Sequence, residues 1–538
     1  MPQSLQPEKP TVNARTASPS SAQRDTVGAT ESVVEPAPVD ALAPLGRDTL
    51  PAVSEKHLCS PASAWREPEI GIVHLGLGNF HRAHQALYTE EAMLVGGGDW
   101  GICGVSLTGN VEKRDVFRAQ DGFYSVVQRG PDGVDVRVVR PLREVLTCPD
   151  DAGALMTRLC MPTTRIVSLT VTEKGYCRNA AGDVDLAHRD IAADLASYPA
   201  VRTVPGWLVA ALARRRAAGM SPFTVLSCDN LAHNGDALQR VVVGFAAALD
   251  TALADWIARE VAFPSTMVDR IVPATTDDDV TDAARALGYR DAVPVPCEPF
   301  RQWVIEDRFP TGRPAWEKVG AALVRDVAPY ELAKLRMLNA AHSALAYWSM
   351  YLDFETIDRA VVHTPLRRFI DALLTDEVIP VLRANPEIAR ANIDLAAYRD
   401  ALLARFTNPA LKHRTAQIAM DGSQKIPLRL VPTLMEAKQL NLPTSHLLRS
   451  IAVWIVFLSG MSASGRRYPI QDPMAAVLAE AIHADTTVQG TAHDVDVDAV
   501  DGLLSIRAIF PAALAGDAVF RDALIEAVGA IRRDAVLG

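Results

Sequence analysis

No stretch of this 538-residue chain holds eighteen consecutive apolar residues, so nothing in it reads as a membrane-spanning helix. No C-x-x-C pair occurs. The seven cysteines, Cys59, Cys103, Cys148, Cys160, Cys177, Cys228 and Cys297, are scattered and odd in number. That pattern supports neither a disulfide framework nor a zinc site and fits the reduced thiols of a cytoplasmic protein. A basic excess is missing too: 54 Lys and Arg stand against 64 Asp and Glu, for a formal net charge of −10. Nucleic-acid partners are therefore not expected, since they are usually met by a basic stripe. The first residues lack the basic start and apolar core of a secretory signal, and residues 1 to about 55 contain no aromatic residue. Such a composition cannot offset its ordering entropy, so residues 1–60 are expected to form a disordered extension. No internal repeat is present. What remains is 49% hydrophobic and 22% charged, enough for a large core divided between at least two domains.

Strand and helix periodicities alternate from residue 69. A β-rich run over 69–75 feeds into Gly76-Leu77-Gly78-Asn79-Phe80-His81-Arg82-Ala83-His84. An amphipathic helix carrying Ala86, Leu87, Tyr88, Ala92, Met93 and Leu94 follows, then a second buried strand over 100–107. Strand, glycine turn, helix and strand make the βαβ unit of a parallel sheet. Further strands are predicted over 165–171 and 223–228, with helical periodicity between them. From about residue 318 the β-rich runs stop and Ala/Leu/Arg periodicity takes over. The expected architecture is α/β: a Rossmann-like dinucleotide-binding domain over 61–318, followed by a mainly α-helical catalytic and substrate domain over 319–538.

One predicted helix, 330–343, groups an amine, an amide and an imidazole: Lys334, Asn339 and His342, with Glu331 one turn before the lysine. At about 100° per residue, Asn339 lies roughly 140° and His342 roughly 80° around from Lys334. An active site handling a carbonyl or an alcohol has use for that set. The glycine turn is a partial dinucleotide fingerprint, because His81 replaces its third glycine. The acid that would hold the ribose hydroxyls of NAD is also missing. Thr108, Gly109 and Asn110 occupy that place and Glu112, Lys113 and Arg114 follow, which leaves NAD and NADP both open. Polar clusters at 170–176, 227–230 and 267–273 sit where an open parallel sheet binds ligands, beyond strand carboxyl ends. His74, His81 and His84 lack carboxylate or cysteine partners at any recognised metal spacing, and no metal is expected.

Taken in order, these blocks resemble the mannitol dehydrogenase family of polyol-specific long-chain dehydrogenases, from about residue 69 to near the end of the chain. The matching stretches are Gly76-x-Gly78-Asn79-Phe80-His81-Arg82-Ala83-His84, Thr172-Glu173-Lys174-Gly175-Tyr176, Ser227-Cys228-Asp229-Asn230, Met267-Val268-Asp269-Arg270, and Lys334-x-Arg336-x-x-Asn339-x-x-His342-Ser343. Residues 297–307 and 413–425, with Arg429, are similar to the branch that interconverts D-fructuronate and D-mannonate (fructuronate reductase). Ile426-Pro427-Leu428-Arg429 departs from that branch's Leu-Pro-Gln-Arg. The resemblance implies metal-free hydride transfer between NAD(H) and a secondary alcohol of a sugar acid or polyol. D-Mannitol/D-fructose is the alternative pair.

On that footing Lys334 is the expected general acid/base. It must be neutral to accept a hydroxyl proton, so its pKa has to fall from about 10.4. Asn230 and Asn339 are the expected amide donors to the substrate oxygen, His342 a ligand of a substrate hydroxyl, and Glu331 a gate for proton exchange. Gly76, Gly78, Asn79, Phe80, Arg82, Glu173, Lys174, Asp229, Asp269 and Arg270 are implied for the cofactor. Lys425, Arg429 and Arg414 join His342 for the substrate, the arginines as bidentate partners of a carboxylate. A catalytically idle dinucleotide-binding sensor is the reading from another class, and the grouping of Lys334, Asn230, Asn339 and His342 argues against it.

Overall fold

Runs of buried aliphatic residues build a five-stranded parallel sheet in the computed structural model, which describes residues 38–410, 412–482 and 492–534. Its strands are β1 (Ile70–Leu75), β2 (Gly101–Ser106), β3 (Leu142–Thr147), β4 (Ile166–Leu169) and β5 (Thr224–Ser227), in the order β3-β2-β1-β4-β5. All four pairings are parallel, with Leu75 opposite both Val105 and Leu169. Val73 and Leu75 are fully buried, as expected of strands covered on both faces. The chain winds one way through β1, β2 and β3 and the other way through β4 and β5. The crevice beyond the carboxyl ends of β1 and β4 is thus the topological switch point where such sheets take ligands.

The helix after the glycine turn is broken. Asn79–Ala83 (α1) ends at His84, whose φ of −126° and ψ of −86° are not helical, and Gln85–Gly96 (α2) resumes it. Val111–Ala119 (α3) follows β2 with Asn110 as its N-cap, the side chain accepting from the Lys113 N–H at 2.9 Å. A further strand, β6 (Thr266–Asp269), pairs antiparallel with Gln302–Glu306, which pairs with Ala322–Val324. That last strand lies just past residue 318, where β structure was expected to stop.

The expectation of disorder through residue 60 needs correction. From Val39 the chain forms short 3-10 turns, and Leu45, Leu50, Val53 and Leu58 are buried against Phe123, Val127, Val136 and Val138. Aliphatic residues spaced every few positions supply enough burial to order this stretch without any aromatic residue. The earlier part of the expected extension, residues 1–37, lies outside the described residues.

The C-terminal half is helical, as expected. Ala328–Lys334 (α4) runs into Ala340–Tyr351 (α5) through a π-type turn over Leu335–Asn339. Leu395–Phe406 (α6) and Gly422–Arg429 (α7) flank it. Tyr347, Trp348, Trp454 and Phe457 are buried in its core.

Candidate active site

A cavity of about 480 Å3 opens between the sheet's carboxyl edge and the helical half. Gly78, Asn79, Phe80, Thr170, Thr172 and Asp229 line one side. Lys334, Asn339, His342, Arg405, Phe406 and His413 line the other, with Asn230 and Asp269 between.

Lys334 is buried, and its Nζ donates to Asn230 Oδ1 at 2.9 Å and to the Val268 carbonyl at 2.7 Å. Burial lowers its pKa below the ordinary 10.5, against the opposing pull of Asp269 and Glu331. Asn230 lies three residues past the end of β5, its amide oxygen is engaged by the lysine, and it lines the cavity. Asn339 comes into the same space through the π-type turn. A turn of i→i+5 character is wider than an α-turn and brings residues five apart closer around the axis, and Lys334 and Asn339 both line the cavity. His342 packs its ring on Phe406 (centroids 5.2 Å) and edge-on to His413 (4.9 Å). Its Nε2 has no protein partner. Burial first, then His413, Arg429, Arg405 and Lys425, hold it well below the usual imidazole range, so it is neutral.

The cofactor-type side is built on the glycine turn. Gly76 has φ +94°, and a Cβ there would come within 2.2 Å of the Thr170 carbonyl oxygen, so only glycine closes the turn. Gly78 faces the cavity, and a Cβ there would meet nothing closer than 3.8 Å, which is the open approach a dinucleotide's diphosphate needs. Asp229 accepts from the Thr172 N–H at 2.8 Å and from Tyr176 OH at 3.0 Å. Burial raises its carboxyl pKa. Several expected cofactor residues are spent elsewhere. Arg82 donates to Asn79 Oδ1 at 2.7 Å and to the Val293 carbonyl, and it lies over Phe117 and Tyr124. Arg270 lines the cavity, but its guanidinium donates to the Glu298 and Ala83 carbonyls. Glu173 and Lys174 are exposed beyond Thr172. The three histidines of the turn are buried and structural: His74 bonds Ser168 and Thr170, His84 bonds the Gln302 carbonyl, and His81 stacks on His74 at 3.4 Å. Burial pushes His74 and His84 down to about 3.

Sequence reasoning missed Arg405. From the end of α6 it donates to Asp269 (2.6 Å) and Glu298 (2.8 Å) and stacks over Phe300, so one guanidinium ties the helical half to the sheet half at the cavity wall. No periodicity marks it, because its partners are more than a hundred residues away. His413 was seen only as part of a matching block. Glu331 stands outside the cavity lining and accepts from the His233 N–H at 3.2 Å; burial raises its pKa.

The expected substrate cations are not among the lining residues. Arg414 is exposed. Lys425 Nζ donates to the Ile418 and Met420 carbonyls. Arg429 donates to the Asn339 carbonyl at 3.2 Å and to Ser343 Oγ at 2.9 Å, so it braces α5 from behind.

Fold and cavity together define a class of protein: a doubly wound dinucleotide-type sheet facing a helical region across a cleft with one buried lysine in its wall. The chain belongs to the mannitol dehydrogenase family. The model of the mannitol dehydrogenase Rossmann domain matches residues 70–318 and that of the mannitol dehydrogenase C-terminal domain residues 326–528. It is 42% identical over 463 residues to the D-mannonate oxidoreductase of Escherichia coli, covering 85% of this chain and 92% of that protein. A mannitol 2-dehydrogenase of Pyrenophora tritici-repentis is 42% identical over 415 residues, 76% of this chain and 72% of the relative. The solved Pseudomonas fluorescens mannitol 2-dehydrogenase, a ternary complex with NAD and D-mannitol, is 36% identical with a TM-score of 0.74, covering 91% of this chain and 97% of that one. Among the described residues, no helix is long and apolar enough to cross a membrane.

Proposed function

We propose that this chain is an NAD(H)-linked dehydrogenase that interconverts a secondary alcohol and a ketone, with D-mannonate and D-fructuronate as its substrate pair. The observation that carries the reading is Lys334: a buried amine, two of its donors taken by Asn230 Oδ1 and the Val268 carbonyl, at the wall of a cavity shared with the Gly76–Gly78 turn. Bound along that turn, the nicotinamide cofactor supplies the hydride acceptor or donor. Gly78, Asn79 and Phe80 are the residues that would hold it, with Asp229 fixing the loop at Thr172.

In the oxidising direction Lys334 takes the substrate hydroxyl proton, for which it must be neutral. Burial favours the neutral amine. In reduction its ammonium returns the proton. Asn230 and Asn339 donate amide N–H groups to the substrate oxygen as it gains negative charge, a contribution on the order of 3 kcal/mol for each such donor. Neutral His342 binds a neighbouring hydroxyl through Nε2, and Glu331 at the His233 N–H gates proton exchange. A division at 61–318 for cofactor and 319–538 for substrate is part of this reading, as is a cytoplasmic location for its seven free thiols.

The preference for a sugar acid rests on the field around His342. Arg429 and Lys425 act on it as positive charges and make no ion pair among the described residues, whereas Arg405 is neutralised by Asp269 and Glu298. An excess of positive charge behind the cavity wall favours an anion. A neutral polyol is the second reading, favoured by the absence of Lys425, Arg429 and Arg414 from the cavity lining. Steady-state rates with D-fructuronate and D-fructose separate the two. A clear preference for fructuronate is expected; equal or better turnover of fructose would overturn the uronate assignment.

A further inference from the structure

Beside the glycine turn stands a cation, Lys113, that makes no ion pair among the described residues. In Rossmann-type sheets the adenosine ribose lies beyond the second strand, where an acid selects the free 2′-hydroxyl and a basic group accommodates a 2′-phosphate. Here β2 ends at Ser106, and no acid occurs before Glu112, which is exposed. The residues between present hydroxyls: Ser106 Oγ and Thr108 Oγ1 lie 3.5 Å apart, and Thr108 is exposed.

Lys113 sits in the first turn of α3 and extends to the glycine turn, its Nζ donating to the Leu77 carbonyl at 3.3 Å. Its neighbour Arg114 is neutralised by Asp115 and Asp151. Among the described residues no ion pair reaches Lys113. The charged group that acts on it is Arg82, another cation. An ammonium held half-buried beside a second cation pays for its position unless an anion arrives.

We infer that Lys113, with the hydroxyls of Ser106 and Thr108, forms a subsite for the 2′-phosphate of a phosphorylated adenosine, so that this enzyme binds NADP(H) as well as NAD(H). The inference rests on the dinucleotide reading above and extends it to the ribose substituent. Burial and Arg82 lower the Lys113 pKa to about 8, which leaves it mostly charged at neutral pH.

The test is binding of the redox-inert fragments ADP-ribose and 2′-phospho-ADP-ribose to the whole protein by calorimetry, beside fluorescence titrations of NADH and NADPH. Both fragments are expected to bind within about tenfold of each other. Lys113→Gln is expected to shift the affinity ratio against the phosphorylated fragment by about tenfold or more, the scale of one charge-assisted hydrogen bond. Thr108→Asp alters an exposed position, where folding is not at stake, and should shift the ratio the same way. Binding of ADP-ribose with 2′-phospho-ADP-ribose more than about a hundredfold weaker would overturn this inference and leave the dehydrogenase reading intact. So would a Lys113→Gln variant that weakens both fragments equally, because the lysine would then only brace the turn. If neither fragment nor NADH bound, the dinucleotide reading itself would fall.

Discussion

The helix that carries Lys334 and the segment over 413–429 are similarly rich in polar side chains, yet they spend them differently. In the first, Lys334, Asn339 and His342 line the cavity, and His342 Nε2 has no protein partner. In the second, His413 reaches the cavity at the segment's start, but Lys425 and Arg429 are engaged by the Ile418, Met420 and Asn339 carbonyls and by Ser343 Oγ. Side-chain type announces capacity for chemistry. Lys334 is also held by a backbone carbonyl, that of Val268, yet at the cavity wall, so the place where each side chain is held decides where the chemistry is, while buried carbonyls claim the other donors.

The largest effect should come from Lys334→Ala. Turnover in either direction is expected to fall by about a hundredfold to ten-thousandfold, with native-like thermal unfolding; undiminished turnover would remove the lysine mechanism. The pH profile sharpens the same point. Because burial lowers the folded-state pKa of Lys334 below 10.5, kcat/KM for oxidation should rise with pH through a value below that. Reduction should fall over the same interval, and Lys334→Ala should lose both limbs.

Arg405→Ala is next. It leaves Asp269 and Glu298 buried without their cation, and breaking such a pair costs about 3–5 kcal/mol. Urea unfolding measures that loss, and a change under about 1 kcal/mol would show that the two halves are held together by something else. Asn339→Ala is expected to lower kcat by about a hundredfold with KM little changed, as for an amide that matters most in the transition state.

Lys425→Met should do least to catalysis. Losing its backbone contacts costs about 1 kcal/mol of stability, while KM moves by less than about threefold. A rise in KM of a hundredfold would mean that Lys425 leaves those carbonyls when substrate binds, and the contrast between the two segments would collapse.

Much of this protein was legible in its residues alone. Local hydrophobic period separates strand from helix, so β1, β2, β4, β5 and the helical stretch after 318 follow from side-chain patterning within a few residues, whereas the edge strand β3 was not marked by it. The glycine turn is equally local: Gly76 must reach φ +94°, and no other residue would fit against Thr170. Lys334, Asn230, Asn339 and His342 were recognisable by kind and order. Folding decided the rest. The π-type turn over Leu335–Asn339 brings Asn339 round towards the cavity that Lys334 also lines. Asp269 and Glu298 recruit Arg405 across more than a hundred residues. Backbone carbonyls claim Lys425. Each depends on hydrogen-bond partners distant in sequence, and burial sets their energies, so no local pattern records them. The sequence by itself therefore determined which elements form and which kinds of group the site can draw on. Tertiary structure alone decided which of those groups face the cavity, because the partners that hold each one lie far away in sequence.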